Sequence, residues 1–418
     1  MPDPESRPSA AATSPSVEVR SATAEEMPAV IAQASRQLGM STDSFGGMSP
    51  EWTTCVFVDG EVATTYGAWP LQIRFNGPAV PIEGVTWVST HPAHRRKGYL
   101  RAVVRKHFEQ MRERRQAAIA ALHPAWMAIY GRYGYASITT RTTYTVAPRD
   151  IQWRHPVEIP GRVREVDLET EFGLLVDVYR RYREERNALI HRGRAMWDAG
   201  PTGKPPAGHR QVVLAYEEDG EPLGYVVYHH GPGVERDRAG ASQYLQVTDY
   251  FAMTPAAHQA LWTILGGYDN VAEIRRPNAG PDDPLPLMLV EPRMLNARTQ
   301  DGIMARLVNV EDALPLRPYP VATELAFELV DGFCDWNDGK WRLQTSLSPG
   351  GGSVERHEGD VDLRLGVDTL AQLAFGRISA TEAAAAGLVD RVRDESVLAR
   401  WDAAWRTAYP PHESEHTW

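Results

Sequence analysis

Residues 88–136 read VSTHPAHRRKGYLRAVVRKHFEQMRERRQAAIAALHPAWMAIYGRYGYA, and the order of the parts in this stretch decides the fold. A β-prone run, Val85-Thr86-Trp87-Val88, leads to the basic turn Arg95-Arg96-Lys97-Gly98. A long amphipathic segment follows at once. In it Leu100, Val103, Val104, His107, Phe108 and Met111 recur at i, i+3, i+4, i+7, i+8 and i+11, one face of a 3.6-residue period. The opposite face is basic, with nine Lys/Arg between Arg95 and Arg115 against two Glu. Strand, Arg-x-x-Gly turn and helix together suit a pyrophosphate. The first N–H groups of a helix lack intrahelical partners, the helix dipole is positive there, and Gly lets the chain come close. The run Tyr130-Gly131-Arg132-Tyr133-Gly134-Tyr135 comes about 30 residues after the turn.

Outward from this stretch the chain reads as alternating strands and helices. Val17 to Arg20 is an opening strand, and Thr23-Ala24-Glu25-Glu26 has the Thr-x-x-Glu pattern of a helix start. Cys55 to Tyr66 reads as two strands joined by an Asp59-Gly60 turn. Ala117 to Leu122 and Tyr135 to Val146 are further strands. From about Ile151 the pattern repeats: a helix over Phe172 to Arg186, then strands at Gln211–Tyr216, Gly224–His229 and Tyr244–Phe251. A helix then starts at Thr254-Pro255, with Thr as N-cap and Pro in its first turn. This second unit has no Arg-x-x-Gly turn and reads as a degenerate copy of the first. From about Glu291 a third unit holds strands at Thr323–Leu329, Gly339–Gln344 and Val361–Leu365, with helices at Asp368–Ala374, Thr381–Leu388 and Val397–Ala404.

At 418 residues the chain is too long for one ordinary core, and about 150 residues per domain gives roughly three. Its 43% hydrophobic and 23% charged residues are those of a globular protein. A formal net charge of −10 argues against nucleic acid and for cationic small partners. No run approaches the ~18 apolar residues of a membrane span. Cys55 and Cys334 allow one disulfide at most, no metal-type Cys/His spacing exists, and a reducing cytoplasm is the simplest compartment. Residues 1–16, rich in Pro, Ser and Ala, read as a disordered tail. The polar C-terminal tail ends on Trp418, an aromatic that implies the tail is tucked into something.

The glycine-containing turn followed by Tyr-Gly-x-x-Gly-Tyr resembles the GNAT N-acetyltransferases, and the whole order from Val17 to Trp418 resembles the Eis family within them. Further points of likeness are Asp249–Trp262, Asp282-Asp283-Pro284-Leu285-Pro286 and Arg306–Val310. The resemblance implies an α+β protein: a GNAT domain (17–150), a degenerate GNAT domain (151–290) and a sterol carrier protein-like domain (291–418). It implies acetyl-CoA as co-substrate, no metal, a cationic amine of aminoglycoside-like or polyamine-like type as acceptor, and a hexamer. Positions matching the cofactor site are Val88, Ser89 and Thr90, then Arg96, Lys97, Gly98, Tyr99, Leu100 and Arg101, then Ala125 and Trp126. Tyr130 matches the general acid that protonates the departing thiolate. The base is the terminal carboxylate, here that of Trp418, and Glu291 stands where the family carries an acid facing substrate. Trp418 replaces the usual Phe, and Ala125-Trp126 replaces smaller or polar residues. By themselves Arg95–Lys97 would be a solvated basic patch and Tyr130 a packing aromatic; Tyr133 and Tyr135 read as packing residues and His412 and His416 as surface groups. Glu26 and Asp249, with Glu291, are candidates for receiving a cationic substrate, the alternative for Glu26 and Asp249 being an ordinary solvated carboxylate. Rival readings are a lysine acetyltransferase of proteins or peptides, a natural-product tailoring acetyltransferase, and a lipid-binding scaffold without catalysis.

Overall fold

The computed structural model describes residues 15–232, 241–347, 350–391 and 396–415, apart from the side chains of residues 44 and 391. All but two residues of the expected N-terminal tail lie outside this range, as do His416 and Trp418. The described chain falls into two compact units. One takes the chain up to Trp69 together with Val85–Glu113, and the other takes Pro70–Gly84 and everything from Arg114 onward.

In the first unit the strands run in the order β1 (Val17–Arg20), β2 (Cys55–Val58), β3 (Glu61–Arg74, as far as Trp69) and β4 (Ala79–Thr90, from Val85 on). The β2–β3 turn is Asp59-Gly60, with both residues at positive φ (51° and 83°). That pair of left-handed residues matches the right-handed twist of the flanking strands. Helix α1 (Met27–Leu38) begins later than the Thr23 pattern implies. Glu26 does bond the Thr23 amide at 2.8 Å, but Thr23–Glu26 form a turn ahead of the helix. Helix α2 (Tyr99–Arg114) buries Val103, Val104, His107, Phe108 and Met111, the face expected from the periodicity.

The second unit holds the remaining strands: β5 (Ile119–Leu122), β6 (Ala136–Ser137), β7 (Thr140–Val146), β8 (Arg162–Glu165), β9 (Gln211–Glu218), β10 (Glu221–Pro232), β11 (Gln243–Ala252), β12 (Val271–Ala279), β13 (Arg298–Asp301), β14 (Met304–Leu307), β15 (Glu324–Val330), β16 (Gly339–Thr345), β17 (Gly352–Arg356), β18 (Leu363–Gly366) and β19 (Val389–Arg391). The expected strand Tyr135–Val146 is in fact two. β6 pairs with β14, whereas β7 joins the sheet β13-β7-β12-β11-β10-β9-β8. Strand β14 also pairs with β5, so a segment near residue 304 lies between two strands near residues 120 and 137. In the long sheet only β11–β12 pairs in parallel, joined through helix α6 (Pro255–Gly266). Helix α4 (Leu168–Glu184), α3 being the short helix Met127–Gly131, connects β8 to the strands that follow. This repeats the strand-and-helix order of the first unit.

The last sheet runs β17-β16-β15-β18-β19. Phe327, Trp341, Leu343, Leu370, Trp401 and Trp405 pack in its core. Arg317 is fully buried there and donates to the carbonyls of Ala374 (2.8 Å) and Trp405 (2.6 Å) at the ends of two helices. A cation at helix C-termini satisfies carbonyls that the helices leave unpaired. Cys55 and Cys334 are both free and buried. Among the described residues no helix is long and apolar enough to cross a membrane.

Candidate active site

In the first unit, β4 carries Val88, Ser89 and Thr90. The residue before them, Trp87, has φ of +56°. A bulky residue in the left-handed region is a genuine outlier, and inside a strand it breaks the regular pleat and re-aims the neighbouring backbone groups. Side chains on the adjacent strand hold the kink. The Thr65 hydroxyl donates to the Trp87 carbonyl (2.6 Å) and so accepts from the Ser89 hydroxyl (2.7 Å). Thr64 and Thr90 hydroxyls lie 3.1 Å apart. Nothing in the sequence marks Trp87 as special, since tryptophan carries no preference for positive φ.

The turn beyond β4 begins with a single 3₁₀ turn, Pro92–His94, and then holds two left-handed residues, Arg96 (φ +64°) and Gly98 (φ +81°). Nothing lies within 4 Å of where a Cβ on Gly98 would sit. Glycine is needed there for its conformation, and it brings no side chain to cap the helix that starts at Tyr99. Arg96, Lys97 and Arg101 are exposed, while Tyr99 and Leu100 are half-buried. The result is an open helix N-terminus flanked by cations, which is suited to phosphate oxygens.

In the second unit, β5 leads through His123, Pro124, Ala125 and Trp126 into α3, which carries Tyr130. Trp126 is 74% exposed, whereas Tyr130 is buried. Burial, with a smaller contribution from Tyr133, pushes the Tyr130 phenol up to about 12, so it keeps its proton at neutral pH. Tyr130 and Tyr135 meet edge to face at 6.1 Å, and Tyr133 packs on Phe333 at 5.1 Å. Gly134 has φ +78°, and a Cβ there would collide with the Arg306 guanidinium. Arg306 donates to the Tyr133 carbonyl and to Asp331, both at 2.5 Å and fully buried. The second glycine of the tyrosine motif therefore makes room for a buried arginine.

The described part of the C-terminal tail is buried, as its terminal aromatic implied. His412, expected at the surface, is buried, and its Nε2 lies 2.9 Å from the Asn278 carbonyl. Asn278 Nδ2 donates to the Ser414 carbonyl (3.1 Å). The Glu413 carboxylate accepts from the Thr139 hydroxyl (2.6 Å) and from the Ile303 amide. Glu415 accepts from Arg192 Nε (2.8 Å). Desolvation raises the Glu415 carboxyl, but Arg192 and Ser414 outweigh it and hold it below the usual range. β11 and β12 pair only over Gln243–Gln246 and Val271–Arg275. Beyond that lies a small crevice lined in part by Asp249, Asn278, His412 and Ser414.

Three carboxylates considered for receiving a cation are placed differently. Asp249 is buried and accepts from Arg192 at 2.6 and 3.1 Å and from the Tyr225 hydroxyl at 2.7 Å. Its burial corrects the solvated reading, and its acceptor capacity is engaged internally. Glu26 accepts from both terminal nitrogens of Arg20 at 2.8 Å, and its carboxyl falls to about 2 chiefly for that reason. Glu291 is half-buried, and its carboxylate faces Arg293 at 3.0 Å. Trp418 falls outside the described residues.

Residues 18–138 match an acetyltransferase (GNAT) domain family, residues 188–307 a second acetyltransferase (GNAT) domain family, and residues 310–414 a sterol carrier protein domain family. The protein is thus a tandem GNAT N-acetyltransferase with a sterol carrier-like third domain, a fold that takes acetyl-CoA as co-substrate. An uncharacterized N-acetyltransferase of Streptomyces avermitilis is 32% identical over 364 residues, covering 84% of this chain and 86% of that one. The N-acetyltransferase Eis of Mycobacterium bovis is 30% identical over 397 residues, covering 88% and 92%. The solved structure of Eis1 from Mycobacterium abscessus superposes with a TM-score of 0.79 at 23% identity, over 95% of this chain and 99% of that one. The chain belongs to the Eis family of N-acetyltransferases.

Proposed function

We propose that this enzyme moves acetyl directly from acetyl-CoA to an amine of an aminoglycoside-like or polyamine-like cation. The observation that carries the reading is the open, cation-flanked start of α2 behind the kinked end of β4. In this reading Arg96 to Arg101 hold the pyrophosphate through backbone N–H groups and charge. The backbone of Val88 to Thr90 orients the pantetheine arm and thioester, and Ala125 and Trp126 line its edge. Tyr130 is the acid. Its raised pKa favours a neutral donor that passes its proton only as the C–S bond breaks, when the thiolate forms beside it. The Trp418 carboxylate is the base and orients the ammonium, and the half-buried Glu291 draws the cation in. A hexamer working in the cytoplasm completes the reading.

The test is a thiol-release assay with acetyl-CoA against aminoglycosides, simple polyamines and a lysine peptide, on protein with a native C-terminus. Amine-dependent release with the cationic small molecules is expected. Turnover of the peptide alone would transfer the assignment to protein substrates, and full activity after extending the chain beyond Trp418 would remove the carboxylate from the mechanism.

A further inference from the structure

Tyr130 sits on a helix too short to hold itself. α3 has five residues, and a helix of that length is unstable in isolation. The turn that follows closes through Tyr133, whose amide donates to the Tyr130 carbonyl at 2.9 Å. Tyr133 in turn is gripped at two points. Its ring packs edge-on against Phe333 at 5.1 Å, and its carbonyl accepts from Arg306 at 2.5 Å. Asp331 holds Arg306: its Oδ2 accepts from the guanidinium at 2.5 Å and from Asn337 Nδ2 at 3.0 Å. Its Oδ1 accepts from the amides of Phe333 (3.1 Å) and Cys334 (2.9 Å), so both carboxylate oxygens are engaged. Tyr133, Arg306, Asp331 and Phe333 are all buried. Gly134 completes the fit, since a Cβ there would meet Arg306 and Val367. Asp331, Phe333 and Val367 lie in the stretch that matches the sterol carrier protein domain family, whereas Tyr130 and Tyr133 lie in the first acetyltransferase match.

We propose that Arg306, Asp331 and Phe333 are positioning residues for the acid, and that the sterol carrier-like domain serves the reaction by fixing the turn that carries Tyr130. This rests on the reading of Tyr130 as the group that gives its proton to the departing sulfur. Such an acid works only within hydrogen-bond reach of the sulfur as the C–S bond breaks, and a misplacement of about 1 Å can cost about 100-fold. The path from Arg306 to Tyr130 is short: guanidinium to Tyr133 carbonyl, then Tyr133 amide to Tyr130 carbonyl. A guanidinium suits the junction because its rigid fork reaches two acceptors in different directions, which one ammonium nitrogen cannot do. The cation is fully buried and balanced by Asp331, so removing either partner strands the other charge and loosens the hold on Tyr133. Phe333 fixes the ring of the same residue, so the turn cannot pivot about its one anchored carbonyl.

The experiment measures kcat and the KM for acetyl-CoA on full-length enzyme with its native C-terminus. The proteins are wild type, Tyr130→Phe, Arg306→Lys, Phe333→Leu, and each of the last two combined with Tyr130→Phe. Arg306→Lys keeps a cation beside Asp331 but has one nitrogen for two acceptors. Its kcat should fall about tenfold or more, while the KM for acetyl-CoA stays within about twofold. Phe333→Leu keeps an apolar side chain but loses the ring contact, and its kcat should fall by about three- to tenfold. In the Tyr130→Phe background neither substitution should cost more than about twofold, because the hydroxyl they position is already gone. Acetyl-CoA binding by calorimetry confirms that each variant is folded. Losses of equal size in both backgrounds, or an unchanged kcat in folded Arg306→Lys, would overturn the inference and leave a purely structural ion pair. If Arg306→Lys does not fold, the same comparison with Phe333→Leu decides. A Tyr130→Phe enzyme as fast as wild type would instead remove the acid reading, and this inference with it.

Discussion

The two strand-to-helix junctions of the tandem domains begin alike and end differently. β4 runs into α2 through Arg95-Arg96-Lys97-Gly98, and β11 runs into α6 through Ser/Thr-type chemistry at Thr254-Pro255. Gly98 leaves the N-terminus of α2 without a side-chain cap. Thr254 closes that of α6: its hydroxyl accepts from the Ala257 amide at 3.1 Å, and Pro255 removes one of the remaining donors. The same topology thus leaves a helix N-terminus with no side-chain cap in one copy and a self-capped helix in the other. The gap that opens beyond the β11–β12 pairing adjoins the enzyme's own tail, through His412 and Ser414. In the second copy Asn278 and Arg192 instead hold the described part of the C-terminal tail, through His412, Ser414 and Glu415.

The largest effect should come from the chemistry of the first copy. Tyr130→Phe should cut kcat by about 100-fold or more, the usual worth of a positioned acid, while acetyl-CoA binding by calorimetry is retained. Unchanged kcat would take Tyr130 out of the reaction. Next is an exchange of caps. Gly98→Thr copies the second junction into the first, placing a β-branched residue at φ +81° and a hydroxyl on the N–H groups meant for phosphate. The KM for acetyl-CoA should rise about tenfold, the ~1.4 kcal/mol expected from losing such an anion contact. The smallest is Thr254→Ala, which should cost about 1 kcal/mol in thermal or denaturant unfolding and leave the acetyl-CoA KM untouched. A raised KM in that variant would erase the contrast between the two copies.

Local patterns in the sequence were enough for the parts just compared. The apolar face of α2, the Asp59-Gly60 turn and the Thr254 cap all follow from short-range rules, and each appears in the structure. What the sequence hides is long-range pairing. Met304-Ala305-Arg306-Leu307 is a plain apolar strand that carries no sign of its partners β5 and β6. Charged residues read as solvated unless a partner is visible, so Arg192 with Asp249 and Glu415, and Arg306 with Asp331, could not be anticipated from positions 57 to 223 and 25 residues apart. Arg183 is a further case: in the run Arg180–Arg186, Arg180 faces Glu184 four residues on at 3.7 Å on the exposed side, but Arg183 turns inward toward His191 at 2.6 Å. Glu413 carries no local mark of its partners either, since Thr139 and Ile303 lie far from it in the sequence.

The exchange of β14 also has a consequence for how the protein is made. β5 and β6 leave the ribosome about 170 residues before Leu307 does. At ~5–20 residues per second, their facing edges remain unpaired for roughly 10–30 s. During that interval they are open to the wrong partner, including the same strands on a neighbouring nascent chain. A fragment that stops short of Met304 lacks the strand that covers those edges, so a piece cut at the end of the first domain is expected to associate through them.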